Sequence, residues 1–124
     1  MADIESRTDI EKFLRSFYSK SVHDTVIGIV FTETIPLDLE KHLPVITDFW
    51  ESILLDNPVY KKNAMAVHYG INKKFPLKKI HFDAWLRLFN TSADEMYAGE
   101  KTELAKKRAA GIAALMEIKM KEHR

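Results

Sequence analysis

Thr25-Val26-Ile27-Gly28-Ile29-Val30-Phe31 is the stretch on which the fold class turns. Its β-branched residues give it the propensity of a buried strand. As a strand it would stand without a partner, leaving its row of N–H and C=O groups unpaired. The segment is therefore read as the irregular end of a helical hairpin, and the chain as all-α.

The flanking sequence supports that reading. Before it, Ile10, Phe13, Leu14, Phe17, Tyr18 and Val22 recur at the three- and four-residue spacing of an amphipathic helix. Thr8, with Glu11 three residues on, reads as a capping box at its start. After it, Leu39, Leu43, Ile46, Trp50, Ile53 and Leu54 make a second stripe, with His42, Ile46 and Phe49 on an adjoining strip. Pro44 interrupts this pattern, and proline is comfortable only in a helix's first turn. The regular helix is accordingly expected to begin close to Leu43. A third helix carries Phe82, Trp85, Leu86, Phe89, Ala93, Met96 and Tyr97, and a fourth, over 100–121, is rich in strong helix formers. Residues 57–79, broken by Pro58, Gly70 and Pro76, are expected to be a loop holding one short helix around 63–69.

Composition narrows the chemistry. The 124 residues are expected to form a single domain, 1–124, and 46% hydrophobic residues suffice to fill its core. No run approaches the roughly 18–20 apolar residues of a membrane span, and the acidic start Met1-Ala2-Asp3-Ile4-Glu5 has no apolar signal region. A cytoplasmic protein that keeps clear of membranes is expected. Lys and Arg total 19 against 18 Asp and Glu, so no net field favours nucleic acid. Cysteine is absent, which removes disulfides, zinc–thiolate and iron–sulfur sites, thiolate-ligated haem and covalent haem attachment. A metal or cofactor must rely on His, carboxylate, Tyr or Met. There is no Glu-x-x-His for a di-iron bundle, no metalloprotease or phosphate-loop motif and no nucleophile elbow. No catalytic residue is assigned.

Five histidines remain. His123 is nearly terminal, His23 follows a helix end, and His81 begins a helix, where it should meet water or cap a backbone group. His42 shares its strip with Ile46 and Phe49, which aims a polar ring at an apolar surface. His68 follows Met65, Ala66 and Val67 and is flanked by Lys61, Lys62, Lys73, Lys74, Lys78 and Lys79. Such a cluster is ordinarily a solvated face, but cations beside an apolar pocket can also meet carboxylates.

Taken together, these residues resemble the truncated haemoglobins, group III in particular, over about 10–120. Phe17-Tyr18-Ser19-Lys20 is similar to an early helical signature of that family, with Tyr18 as the distal tyrosine and Phe31 thirteen residues on. His42 stands eight residues before Trp50, and His68 eighteen after it. His81-Phe82-Asp83-Ala84-Trp85-Leu86-Arg87-Leu88-Phe89 is similar to a later signature, and the lack of any Gly-Gly pair fits group III. The resemblance implies a globin-like two-over-two helical sandwich around haem b, with His68 as the iron ligand. It implies Tyr18, His42 and Trp85 on the distal side, where oxygen, nitric oxide or carbon monoxide binds. Phe31, Ile46, Phe49, Trp50, Met65, Phe82, Phe89, Ile112 and Met116 would line the cofactor. The protein would be monomeric, served by an unidentified reductase if it performs nitric-oxide detoxification or redox chemistry. The chain departs from the family pattern in a longer stretch between His68 and Trp85 and in Pro44. Without the resemblance, a haem-free helical bundle serving as a protein-interaction module stays open.

Overall fold

The quoted stretch forms turns and helix, and no strand occurs among the described residues. This computed structural model describes residues 1–34, 38–60 and 64–122, and of residues 33, 34 and 64–67 the backbone alone. Its elements are α1 (Arg7–Ser21), a π-helical turn (Val30–Thr34), α2 (Leu39–Leu54), α3 (Ala64–Lys74), α4 (Lys79–Met96) and α5 (Glu100–Glu122). α1 packs on α2 and α4 packs on α5; α1 also meets α4, and α2 meets α5. Two helix pairs are thus stacked, as the resemblance implied, with α3 tucked against α5.

α1 starts two residues earlier than its expected capping box. Ser6, not Thr8, is the cap, its Oγ accepting from the Asp9 N–H at 3.2 Å while Asp9 accepts from the Glu5 N–H. The pairing is Ser-x-x-Asp, and the shorter carboxylate reaches one residue further back than a Glu would. At the other end, the Asp24 carboxylate takes the Val26 and Ile27 N–H groups and turns the chain. A Cβ on Gly28 would sit 2.8 Å from the Val22 carbonyl, so only glycine lets the quoted stretch pass this close beneath α1.

α2 corrects a second expectation. It begins at Leu39, and Pro44 lies inside it. Asp38 closes the first turn by accepting the Lys41 and His42 N–H groups. Proline then removes one rung, the bond its own N–H would have given the Glu40 carbonyl. The helix holds because Leu43, Thr47, Trp50 and Leu54 are buried against the core on one face. Arg7 of α1 adds a clamp on the same region, donating to Asp48 at 2.7 Å, Glu51 at 3.1 Å and the Pro44 carbonyl at 3.4 Å.

α3 is longer than the short helix expected around 63–69. α5 is seated by Asp3, whose carboxylate accepts from the Lys101 and Thr102 N–H groups and the Thr102 hydroxyl. Gly99, with φ at +146°, makes room for it, since a Cβ there would meet the Asp3 side chain. Ala105, Ala109 and Ala113 recur every fourth residue on the buried face of α5 and let α4 come close.

Two apolar clusters make up the core. One, between the helix pairs, contains Phe13, Phe17, Trp50 and Phe89. Its rings meet edge-on or tilted, with Phe13 and Phe89 centroids 4.8 Å apart and Trp50 and Phe89 4.9 Å. Such pairs add about 0.5–1.5 kcal/mol each beyond area burial. The other cluster joins Val30, Leu77, Phe82, Met116 and Met120. Trp85 and Ile112 pack against both, and the space between the clusters is where the site lies.

Candidate functional site

A cavity of about 520 Å³ opens there. Packed interiors leave few voids larger than a water molecule, while cofactor and ligand sites occupy roughly 300–1,000 Å³. A plain helical bundle would have filled this volume. Its wall is largely apolar: Phe31, Ile46, Phe49, Trp50, Phe82, Phe89, Ile112 and Met116 all border it, joined by Leu14, Phe17, Ile27, Val30, Val45, Ile71 and Leu77. The polar groups on the wall are few and carried by aromatic rings, the phenols of Tyr18 and Tyr60, the imidazoles of His42, His68 and His81 and the indole of Trp85.

Tyr18 comes from the buried face of α1 and is 6% exposed. Its Oη lies 3.1 Å from His42 Nε2 on α2. Phe17 and Phe31 hold the phenol ring edge-on, with centroids at 5.0 and 5.8 Å. Burial pushes the Tyr18 phenol well above its ordinary value, so it stays protonated and serves as a donor. His42 is half-buried. Burial first, then the neighbouring charge of His68, lowers its pKa and favours the neutral ring. A neutral imidazole at Nε2 either takes the phenol proton or gives its own. In the second tautomer the tyrosine O–H is left to be donated into the cavity. The two histidines, from α2 and α3, thus share one apolar chamber closely enough for His68 to disfavour charge on His42.

Trp85 on α4 stacks on Phe89 at 5.4 Å and stands edge-on to Phe17 at 6.0 Å. This fixes an indole in the wall one turn from the phenylalanine that anchors the core. The residues present suit a haem. The space is apolar, imidazole is the ligand type offered by a chain without cysteine, and a protonated Tyr18 does not compete as a phenolate.

No protein-family model matches the chain. It is similar to the group 3 truncated hemoglobin Ctb of Campylobacter jejuni, with 28% identity over 112 residues, covering 88% of this chain and 86% of that protein. Its fold matches the crystal structure of a group III truncated hemoglobin from Campylobacter jejuni with a TM-score of 0.82 and 25% identity, over 97% of this chain and 95% of that one.

The chain has the fold of a group III truncated haemoglobin and is similar to that group in sequence.

That likeness implies a haem globin, and the cavity gathers most of the residues expected from the sequence. Tyr18, His42, His68, Trp85 and eight of the nine expected lining residues border it. Met65, the ninth, has its side chain outside the described residues, as do Lys61 and Lys62. Lys73 and Lys74 are exposed at the end of α3 and are not part of the wall. His42 sits on regular helix despite Pro44, with its ring on the cavity wall. Among the described residues no helix is long and apolar enough to cross a membrane.

His81 was only half legible. It does cap a backbone group, its Nδ1 accepting the Lys78 N–H at 2.8 Å. It does not point to water, however: it is 9% exposed, packs edge-on against Phe75 and borders the cavity. Tyr60 was missed as well. Its ring stands edge-on to Phe49 at 5.2 Å, and its N–H is taken by Ser52 Oγ. The signal available was an aromatic residue just before the α3 segment; nothing in the periodicity places it, because it lies on no helix.

Proposed function

We propose that the protein works as a truncated haemoglobin, binding haem b in the cavity through His68 and receiving oxygen or another small diatomic ligand beside Tyr18, His42 and Trp85. The observation that carries the reading is the pairing of Tyr18 with His42 in an apolar chamber that also holds a second imidazole on α3. A haem iron held by one imidazole keeps a sixth position open to oxygen, nitric oxide or carbon monoxide.

The chain's own residues would then do three things. His68 offers a ring nitrogen to the metal. The wall built from Phe31, Phe49, Phe82 and Met116 excludes water, which strengthens every polar contact inside. Tyr18, with its proton retained, donates to whatever partial negative charge a ligand brings, in a network with His42 and the Trp85 indole. Such a set favours a polar diatomic over an apolar one. It is equally compatible with oxygen carriage and with nitric-oxide chemistry fed by a reductase.

Titrating the purified protein with haemin tests the reading. One haem per chain, a Soret band, and a carbon monoxide adduct of the reduced form are expected. An endpoint with no defined stoichiometry and no carbon monoxide response would refute it.

A further inference from the structure

Asn72 is a polar side chain 4% exposed on α3, and the site as described has no use for it. Both ends of its amide are engaged. Nδ2 donates to the Met120 carbonyl at 3.0 Å, and Oδ1 accepts from the Leu77 N–H at 2.9 Å. Met120 lies in the last turn of α5, where carbonyls have no partner within the helix. Leu77 lies in the connection from α3 to α4, just after Pro76. One buried amide therefore joins α3, the connection and the end of α5.

All three of those segments are cavity wall. Leu77 borders the space directly, Met116 does so one turn before Met120, and on α3 the wall residues are His68 and Ile71. Asn72 follows His68 by four residues, so the two lie on the same side of α3, one turn apart. Displacing the amide would displace the helix turn that carries His68.

We propose that Asn72 is a positioning residue for His68, fixing the depth and angle at which the imidazole enters the cavity. The inference rests on His68 being the iron ligand, and its test separates the two. Asn72→Leu keeps the approximate volume and removes both bonds. Asn72→Asp keeps the acceptor for Leu77 and loses the donor to Met120.

The readout is the iron–imidazole stretching band in the resonance Raman spectrum of the reduced, haem-loaded protein. Transfer of haem to excess apomyoglobin is measured beside it. In Asn72→Leu the band should shift and broaden, and haem transfer should quicken about tenfold or more, the size set by leaving buried backbone groups unpaired. Asn72→Asp should shift the band less, and it carries the test if the leucine variant does not fold. A residue that serves stability alone would quicken haem loss and leave the band where it is. An unmoved band in both variants, with the band abolished in His68→Ala, overturns the role of Asn72 and leaves the ligand intact. A band that survives in His68→Ala overturns the ligand assignment and this inference with it.

Discussion

Replacing Tyr18 by phenylalanine removes one oxygen atom from the cavity wall and leaves the ring where Phe17 and Phe31 hold it. The effect on folding should be small. One hydrogen bond to His42 is lost, worth about 1 kcal/mol net, and the half-buried imidazole can turn its free nitrogen toward solvent. The effect on ligand release should be larger and selective. A hydrogen bond to a charged acceptor contributes roughly 1.5–3 kcal/mol, or about ten- to over a hundredfold in a rate or equilibrium. Oxygen held beside Tyr18 draws negative charge and gains from the phenol, whereas carbon monoxide draws little. Tyr18→Phe should therefore raise the oxygen dissociation rate by about that factor and change carbon monoxide dissociation much less. Stopped-flow displacement of oxygen by carbon monoxide, with the reciprocal replacement of carbon monoxide by nitric oxide, measures both. Equal changes for the two ligands would mean that Tyr18 acts by shape, and the donor role would be wrong.

His68→Ala should fail to retain haem after gel filtration unless imidazole is added to the buffer; a wild-type spectrum without imidazole would move the ligand elsewhere. The His42 imidazole, held below its ordinary value by burial and then by His68, gives stability that is complete above about pH 6.5. That stability should fall as the pH drops from there through the lower folded-state value, and thermal melts of the cofactor-free protein should lose this slope in His42→Leu. A slope that persists unchanged would assign it to other groups. Burial raises the Asp3 pKa, but its bonds from Thr102, Lys101 and Ile4 outweigh this and hold it low. Asp3→Ala should thus cost about 1 kcal/mol at neutral pH, as a lost helix cap does, and the loss should shrink as the pH falls toward and through the Asp3 folded-state value; urea melts of both proteins at a series of pH values descending from neutral would show it.

How far the sequence reaches can be judged from particular residues. Apolar spacing alone placed α1 and α4, because each buries one continuous stripe and a stripe is a local property of the chain; α5 was placed by its strong helix formers. Spacing also located Tyr18 correctly, since a tyrosine on such a stripe must turn inward. Pro44 misled because the rule against interior proline is local, and the packing that overrides it is not. Leu39 and Leu43, already four residues apart on the stripe, were the signal that the helix extended through it. Asn72 could not have been found this way, and of His81 the cap was legible but its place on the cavity wall was not. An asparagine between Ile71 and Lys73 reads as surface until its two backbone partners, five and forty-eight residues away, are brought to it.

The connection between α3 and α4, residues 75–78, explains why both of those polar residues are inside. It carries two consecutive N–H groups, Leu77 and Lys78, that no helix satisfies in the ordinary way. Asn72 reaches forward to the first and His81 reaches back to the second. A buried N–H without a partner costs roughly 1–3 kcal/mol, so a non-helical connection over an apolar cavity needs side-chain acceptors on both flanks. The same two residues stand at the end of the helix that bears His68 and at the start of the helix that bears Trp85. Closing the connection and aligning the two sides of the cavity are thus one structural requirement, met by an amide and an imidazole that carry no metal chemistry themselves.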